Sequence, residues 1–291
     1  MATLAILAFL LAPAAPAASS APAAEAEVRA VTVTFTDDKG NPVEGLVPEE
    51  VALLENGVAR DVTALQLDRR PLTLALLVDT SAAVDSSYRL TMVDALMGFL
   101  GRLPAGSTYA LWTTGDRPTK LVDYTDDVSA AAKALKRVAP QGGNTLLDAL
   151  VEASADLKKR EGERTAVVAV TAVGVEFSSR DRYQVVAEAQ KNASFFGAVL
   201  IEEGVTDFEN RGNYDYVLGD LTKKTGGIFE TTLSFMGADA ALRKVTAQLR
   251  GQYRLSYATL PELKNRKIEV KVARPGVKVR VGPESRPARE S

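Results

Sequence analysis

Asp79, Ser81 and Thr145 are the residues in this sequence best suited to chemistry. The apolar run Leu72–Val78 stops abruptly at Asp79-Thr80-Ser81. A buried parallel strand delivers a carboxylate and a hydroxyl to the edge of a sheet in this way. Thr145 follows Gln141-Gly142-Gly143-Asn144 and opens the helical pattern LLDALVEA. The glycine pair permits a tight turn, so a helix start presents Thr145 near the same edge. The chain contains no histidine and no cysteine. The commonest general base, the commonest transition-metal ligand, thiol nucleophiles and thiolate zinc sites are therefore all excluded. A metal here has to be bound by oxygen, which points to Mg, Ca or Mn. The alternative use is structural: Asp79 and Ser81 cap the following helix or bond loop amides, and Thr145 caps its own helix.

Catalysis is not expected. Without histidine, a serine nucleophile needs a lysine base. Lys223 and Lys224 lie far along the chain from Ser81, and no nucleophile elbow is present. Gly142-Gly143 lacks the rest of a phosphate-binding loop.

The elements that must position these residues alternate. Candidate strands are Leu72–Val78, Tyr109–Thr113, Thr165–Val170 and Phe195–Ile201, most of them nearly continuous apolar runs, as strands covered on both faces should be. Helical faces lie between and after them, at Leu90–Leu100, Val128–Val138, Leu146–Leu157 and Leu242–Leu249. A further helix over Tyr216–Thr225 is closed by Gly226-Gly227. The expected fold class is α/β, a doubly wound, mostly parallel sheet over residues 71–250.

Both flanks follow period two. Val31, Val33 and Phe35 alternate with threonines, and Asn56-Gly57 marks a hairpin between Val51–Leu54 and Val58–Leu67. Near the other end, Tyr253, Leu255 and Tyr257, then Ile268, Val270 and Val272, then Val277, Val279 and Val281 alternate. So few strands are marginal alone. The segments 27–70 and 251–282 are therefore expected to pair into one small β-sandwich-like domain, with a disordered tail over 283–291.

Thr3–Ala12 is apolar, and an Ala/Pro/Ser stretch follows to Ala24. Residues 1–24 read as a signal peptide, although no Lys or Arg precedes the apolar part. The apolar part is too short to span a bilayer. The expected location is outside the cytoplasm: periplasmic, cell-surface or secreted. With no cysteine, lipid attachment through that residue is excluded. A net charge of −2 argues against nucleic acid as a partner.

The words VDTSAA (78–83), GGNTLLDAL (142–150), LTKKTGGIFE (221–230) and LRGQYRLSY (249–257) occur in an informative order, preceded by GNPVEGLVPEEVALLENG (40–57). Together they resemble the von Willebrand factor type A domain, in particular exported bacterial proteins that carry it between β segments. The resemblance implies a Rossmann-like fold and a metal-ion-dependent adhesion site holding Mg²⁺, which leaves one coordination position to a partner's carboxylate. Its ligands are Asp-x-Ser-x-Ser after the first strand, a Thr after a Gly-rich loop and an Asp after the fourth strand. Asp79, Ser81 and Thr145 match. The second serine falls on Ala83 and the last aspartate on Ala172, or on Val173 if Gly174 sets the alignment.

One carboxylate and two hydroxyls leave most of a dication's charge uncompensated. Glu176 and Asp85 are the candidate substitutes. The expected function is thus a non-catalytic protein-binding or scaffold protein with a degenerate adhesion site and no cofactor. The alternatives are an Mg-dependent adhesion module with a substituted ligand, and a structural component of a cell-envelope assembly. Among weaker signals, Asp148 reads as a supporting or surface group, Trp112 as core, and Tyr253 and Tyr257 as packed strand residues. The acidic stretch Glu202–Asn213 reads as a solvated loop.

Overall fold

Alternating sequence at both flanks and continuous apolar runs in the middle produce two kinds of sheet. The computed structural model describes residues 27–84, 91–160, 164–191, 195–260 and 266–285. The leader over 1–24, Asp85 and residues 286–291 lie outside the described residues. In chain order the strands before the middle are β1 (Glu27–Thr36), β2 (Val51–Glu55), β3 (Val58–Arg60) and β4 (Val62–Leu67). Then come β5 (Leu72–Val78), α1 (Val93–Gly101), β6 (Thr108–Thr113), β7 (Thr119–Thr125), α2 (Val128–Leu135), α3 (Leu146–Lys158) and β8 (Arg164–Ala172). They are followed by α4 (Arg182–Ala189), β9 (Phe196–Ile201), α5 (Phe208–Lys224), β10 (Ile228–Thr232) and α6 (Ala238–Arg250). The chain returns to strands with β11 (Gln252–Thr259), β12 (Ile268–Val272) and β13 (Lys278–Ser285).

The central sheet has the order β10-β9-β8-β5-β6-β7, parallel throughout except for the β6–β7 pair. Every residue of β5 is buried because its alternate side chains enter two different cores. Leu72, Leu74, Leu76 and Val78 pack beneath α1, α2 and α6, while Ala75 and Leu77 pack beneath α3, α4 and α5. Trp112 belongs to the second of these cores. This is the expected doubly wound α/β fold. The strand order reverses at β5, whose neighbours β8 and β6 lead to opposite edges, so a crevice opens at the carboxyl ends of β5 and β8.

The flanks combine. One sheet has the order β13-β1-β11-β4 and the other β12-β2-β3, and a shared core of Val31, Val33, Phe35, Leu53, Leu255 and Tyr257 lies between them. Asn56 and Gly57 both have positive φ (51° and 81°), the geometry of a two-residue hairpin turn. The run after that turn is not the single strand expected over Val58–Leu67. It breaks at Asp61, so β3 pairs with β2 while β4 crosses to β11 in the other sheet. The expected tail also begins too early. β13 continues to Ser285, and Glu284 is held by Arg29 at 3.3 Å and by the Tyr257 hydroxyl at 2.9 Å.

The α5 helix begins at Phe208 rather than Tyr216, so half of the expected acidic loop is helical. Asp207 starts it by accepting from the Asn210 amide, and Arg211 pairs with Glu202 and Asp215. Only five of its residues are buried, which leaves little apolar periodicity to read in its first half.

The two units meet at the amino edge of the central sheet, around Arg164. Its guanidinium is buried and donates to Gln252 Oε1 (2.7 and 3.2 Å), to the carbonyls of Asp68 (3.1 Å) and Arg70 (3.2 Å), and to that of Leu249. Asp68 Oδ2 lies 3.7 Å away and is also paired with Arg70 at 2.7 Å.

Candidate functional site

Asp79 is the first residue beyond β5, and its amide still continues the ladder to the Val170 carbonyl at 2.9 Å. Its side chain is buried and its carboxylate accepts four hydrogen bonds. Oδ1 accepts from the Ser81 amide at 2.8 Å. Oδ2 accepts from the Ala172 amide at 2.9 Å, from the Thr171 hydroxyl at 3.0 Å and from Asn144 Nδ2 at 3.1 Å. A carboxylate offers about four lone-pair sites, so this one is largely used within the protein. Burial pushes the Asp79 carboxyl up, against the pull of the Ser81 and Ala172 hydrogen bonds.

The loop 141–145 runs as a strap among three neighbouring loops. Gln141 N donates to Thr80 O (3.0 Å), Ala82 N to Gly142 O (3.0 Å) and Asp116 N to Gly143 O (2.8 Å). Asn144 N donates to Val175 O (2.7 Å), and Phe177 N to Asn144 O (2.6 Å). The strap passes so close to its neighbours that a side chain has no room. Gly142 has φ +67°, and a Cβ there would lie 1.6 Å from Asp116 Oδ1. A Cβ on Gly143 would lie 2.4 Å from the Phe177 ring. The loops after β5, β6 and β8 are thereby tied into one plate over the crevice.

Ser81 and Thr145 lie in the same plate as Asp79, and both are buried. Ser81 Oγ accepts from the Ala83 amide at 3.3 Å. Thr145 does not cap its helix through its side chain. Its hydroxyl and amide both donate to the Thr114 carbonyl, each at 2.7 Å, which binds the helix start to the loop after β6. Of the two remaining positions of the implied ligand set, one falls on Ala83 and the other on Ala172 or Val173, and none of these side chains carries an oxygen. Ala172 gives Asp79 only its amide, and the Ala83 methyl would lie 2.6 Å from a Cβ on Gly174, so these loops touch.

Glu176 lies in the loop after β8, but its carboxylate is turned to other partners. Oε1 accepts from the Ser178 amide at 3.0 Å, and Oε2 from the Tyr214 hydroxyl at 2.7 Å. Burial pushes Glu176 up, and the Asp79 charge adds to the effect. Burial and the Glu176 charge likewise push the Tyr214 phenol up. Asp148 supports the same loop, accepting from the amides of Ser179 (2.8 Å) and Arg180 (3.3 Å) and from the Arg180 guanidinium (2.8 Å).

Sequence reasoning missed Asn144 and Thr171. Asn144 is fully buried and spans Asp79 and Thr171, with its Oδ1 left unpaired. Its position between a glycine pair and Thr145 was the available signal. Among the described residues, no group of three or more Asp or Glu side chains is arranged to hold a metal ion.

Residues 74–174 match the model of the von Willebrand factor type A domain. A comparison with curated proteins finds no match. Among solved structures, the chain is similar to a von Willebrand factor type A protein from Catenulispora acidiphila, at 10% identity and a TM-score of 0.54, covering 90% of this chain and 74% of that one. It is also similar to proximal thread matrix protein 1 of the mussel byssus. The form with a zinc-occupied metal-ion-dependent adhesion motif gives 18% identity and a TM-score of 0.53, over 67% of this chain and 50% of that one. Another structure of the mussel protein gives 16% and 0.51, over 72% and 50%. The chain thus spans half the length of the mussel protein. At these identities the likeness shows the fold, and the fold is von Willebrand factor A-like.

Proposed function

We propose that this protein is a non-catalytic protein-binding module, acting outside the cytoplasm, whose adhesion site has lost its metal and binds through apolar contacts. The observation that carries this reading is the placement of exposed apolar side chains. Of the twelve large apolar residues that stand exposed among the described residues, six lie where the chain leaves neighbouring strands at the carboxyl edge. Val175, Phe177 and Tyr183 follow β8, Phe208 follows β9, and Leu233 and Met236 follow β10. Phe208, Leu233 and Met236 are at least 75% exposed. Large exposed apolar groups gathered on one face mark an interaction surface more often than scattered ones do.

The donor set in the crevice does not fit a dication. A single carboxylate is present, and three hydrogen bonds already converge on its Oδ2. Mg²⁺ dehydrates reluctantly and wants six oxygens in near-octahedral array. Glu176 is committed to Tyr214 and Ser178. The plate therefore serves as a rigid, metal-free platform. Export rests on the apolar leader at Thr3–Ala12. Among the described residues, no helix is long and apolar enough to cross a membrane.

Titration calorimetry with Mg²⁺, Mn²⁺ and Ca²⁺ is expected to show no saturable binding. A micromolar dissociation constant abolished by Asp79→Ala would overturn the metal-free reading. Partner capture from the fraction outside the cytoplasm is expected to survive EDTA and to be lost in the triple variant F177S/F208S/M236S. Capture that EDTA abolishes would favour the metal-dependent alternative.

A further inference from the structure

The amino edge of the central sheet carries a second feature, on the side opposite the apolar surface. Arg69 and Arg70 immediately precede β5, Arg250 closes α6, and Arg254 lies in β11. Two adjoining hollows open here, the first between the α/β unit and the small sandwich and the second against β4, β11 and the linker 68–70. One, of about 350 Å³, is lined by Arg69, Arg250, Glu44 and Asp68 among others. The other, of about 320 Å³, is lined by Arg69, Arg70, Arg254 and Asp68 among others. Arg69 belongs to both and joins them.

The charges there are not balanced. Most arginines among the described residues are paired with a carboxylate or bonded to a backbone carbonyl: Arg29, Arg60, Arg102, Arg180, Arg211 and Arg274 are examples. Among the described residues, Arg69, Arg250 and Arg254 have no such partner, and the buried Nε of Arg254 has no acceptor there. Arg69 and Arg250 are exposed. Of the two acidic side chains in the hollows, Asp68 is held by Arg70 at 2.7 Å and faces Arg164 at 3.7 Å, leaving Glu44 alone against three free guanidinium groups. This local excess stands on a chain whose net charge is −2. Guanidinium groups are weakly hydrated, planar forks that recognise phosphate and sulfate oxygens in pairs.

We propose that the arginine-lined groove beside the junction of the two units binds a multivalent oxyanion, one that carries at least two phosphate or sulfate groups along a short chain. Two hollows joined at Arg69 match two anionic groups better than one. The two sources of that chemistry are a free oligophosphate and a sulfated polymer, and the probes differ accordingly.

Calorimetry on the full mature chain with sodium tripolyphosphate, inorganic phosphate and a short dextran sulfate tests the proposal. Tripolyphosphate or dextran sulfate is expected to bind saturably, at least tenfold more tightly than inorganic phosphate. Affinity should fall as salt is raised. Saturation by tripolyphosphate alone assigns a free oligophosphate, and displacement of tripolyphosphate by dextran sulfate assigns a sulfated polymer. Both side chains of R69Q/R250Q are exposed, so this variant keeps the fold and should weaken binding at least tenfold. The charge-matched R117Q/R137Q, which removes two exposed unpaired arginines elsewhere, should change affinity less than twofold. No saturable binding by either multivalent probe, or equal weakening in the two double variants, would overturn the proposal.

Discussion

Replacing Arg164 by methionine tests whether the two units are one cooperative body. Methionine keeps much of the stem length and removes every donor. Four acceptors then lose their partner: the buried Gln252 Oε1 and carbonyls of Asp68 and Leu249, and the half-buried carbonyl of Arg70. A buried acceptor left dry costs about 1–3 kcal/mol. Gln252 can turn and the half-buried Arg70 carbonyl can be hydrated, so two or three of the losses should persist. The expected cost is about 3–5 kcal/mol, the size found when one partner of a buried charged cluster is removed. That is a large share of the roughly 5–15 kcal/mol that stabilises an ordinary domain.

Urea unfolding with two probes reads both the cost and its location. Trp112 is the only tryptophan and sits in β6, so its fluorescence reports the α/β unit. Far-UV circular dichroism reports both units. The two curves should coincide in the parent protein and separate in Arg164→Met. Adding Asp68→Asn should cost less than the sum of the single changes, because the pair shares partners. A loss below about 1 kcal/mol, with curves that still coincide, would refute the idea that Arg164 couples the units.

Two further outcomes follow from the plate over the crevice. Glu176 has its folded value raised above its ordinary 4.5 by burial, so above that value the unfolded chain releases a proton that the folded one retains. Stability should therefore decline as pH rises from 4.5 through the folded value, and Glu176→Gln should lose that part of the slope when urea midpoints are compared at pH 5 and pH 7. An unchanged slope would show that Glu176 titrates normally. Gly142→Ala should destabilise by about 1–2 kcal/mol, since φ +67° strains any side chain and the Asp116 carboxylate has to move. A neutral thermal shift would show that the strap relaxes freely.

Legibility in the sequence followed burial. β5, β8 and β9 are buried along their whole length and show as apolar runs, and β1 and β11 show as alternation. β7 and β10 are edge strands of the central sheet with mixed exposure, so neither pattern is strong in TKLVDYT or IFETT. The break at Asp61 depends on which sheet each half joins, a tertiary choice that local sequence does not encode. At the site, the positions of Asp79, Ser81 and Thr145 could be read from motif spacing. Their partners could not. Asn144 and Thr171 reach Asp79 from 65 and 92 residues away, and only the packed loops bring them together.

β1 lies inside its sheet, between β11 and β13, and Val33 faces Tyr253 across some 220 residues of intervening chain. A strand so placed has both edges empty until the rest of the chain has been made. Loop closure over that distance is entropically costly and slow. Nearly all of the α/β unit can fold while VTVTF remains an unpaired, apolar β-former, which is a hazard for pairing with other chains. The small sandwich is therefore expected to close last. Because strands from both flanks lie side by side in it, that closing step also sets whether the neighbouring arginines at the amino edge come together at all.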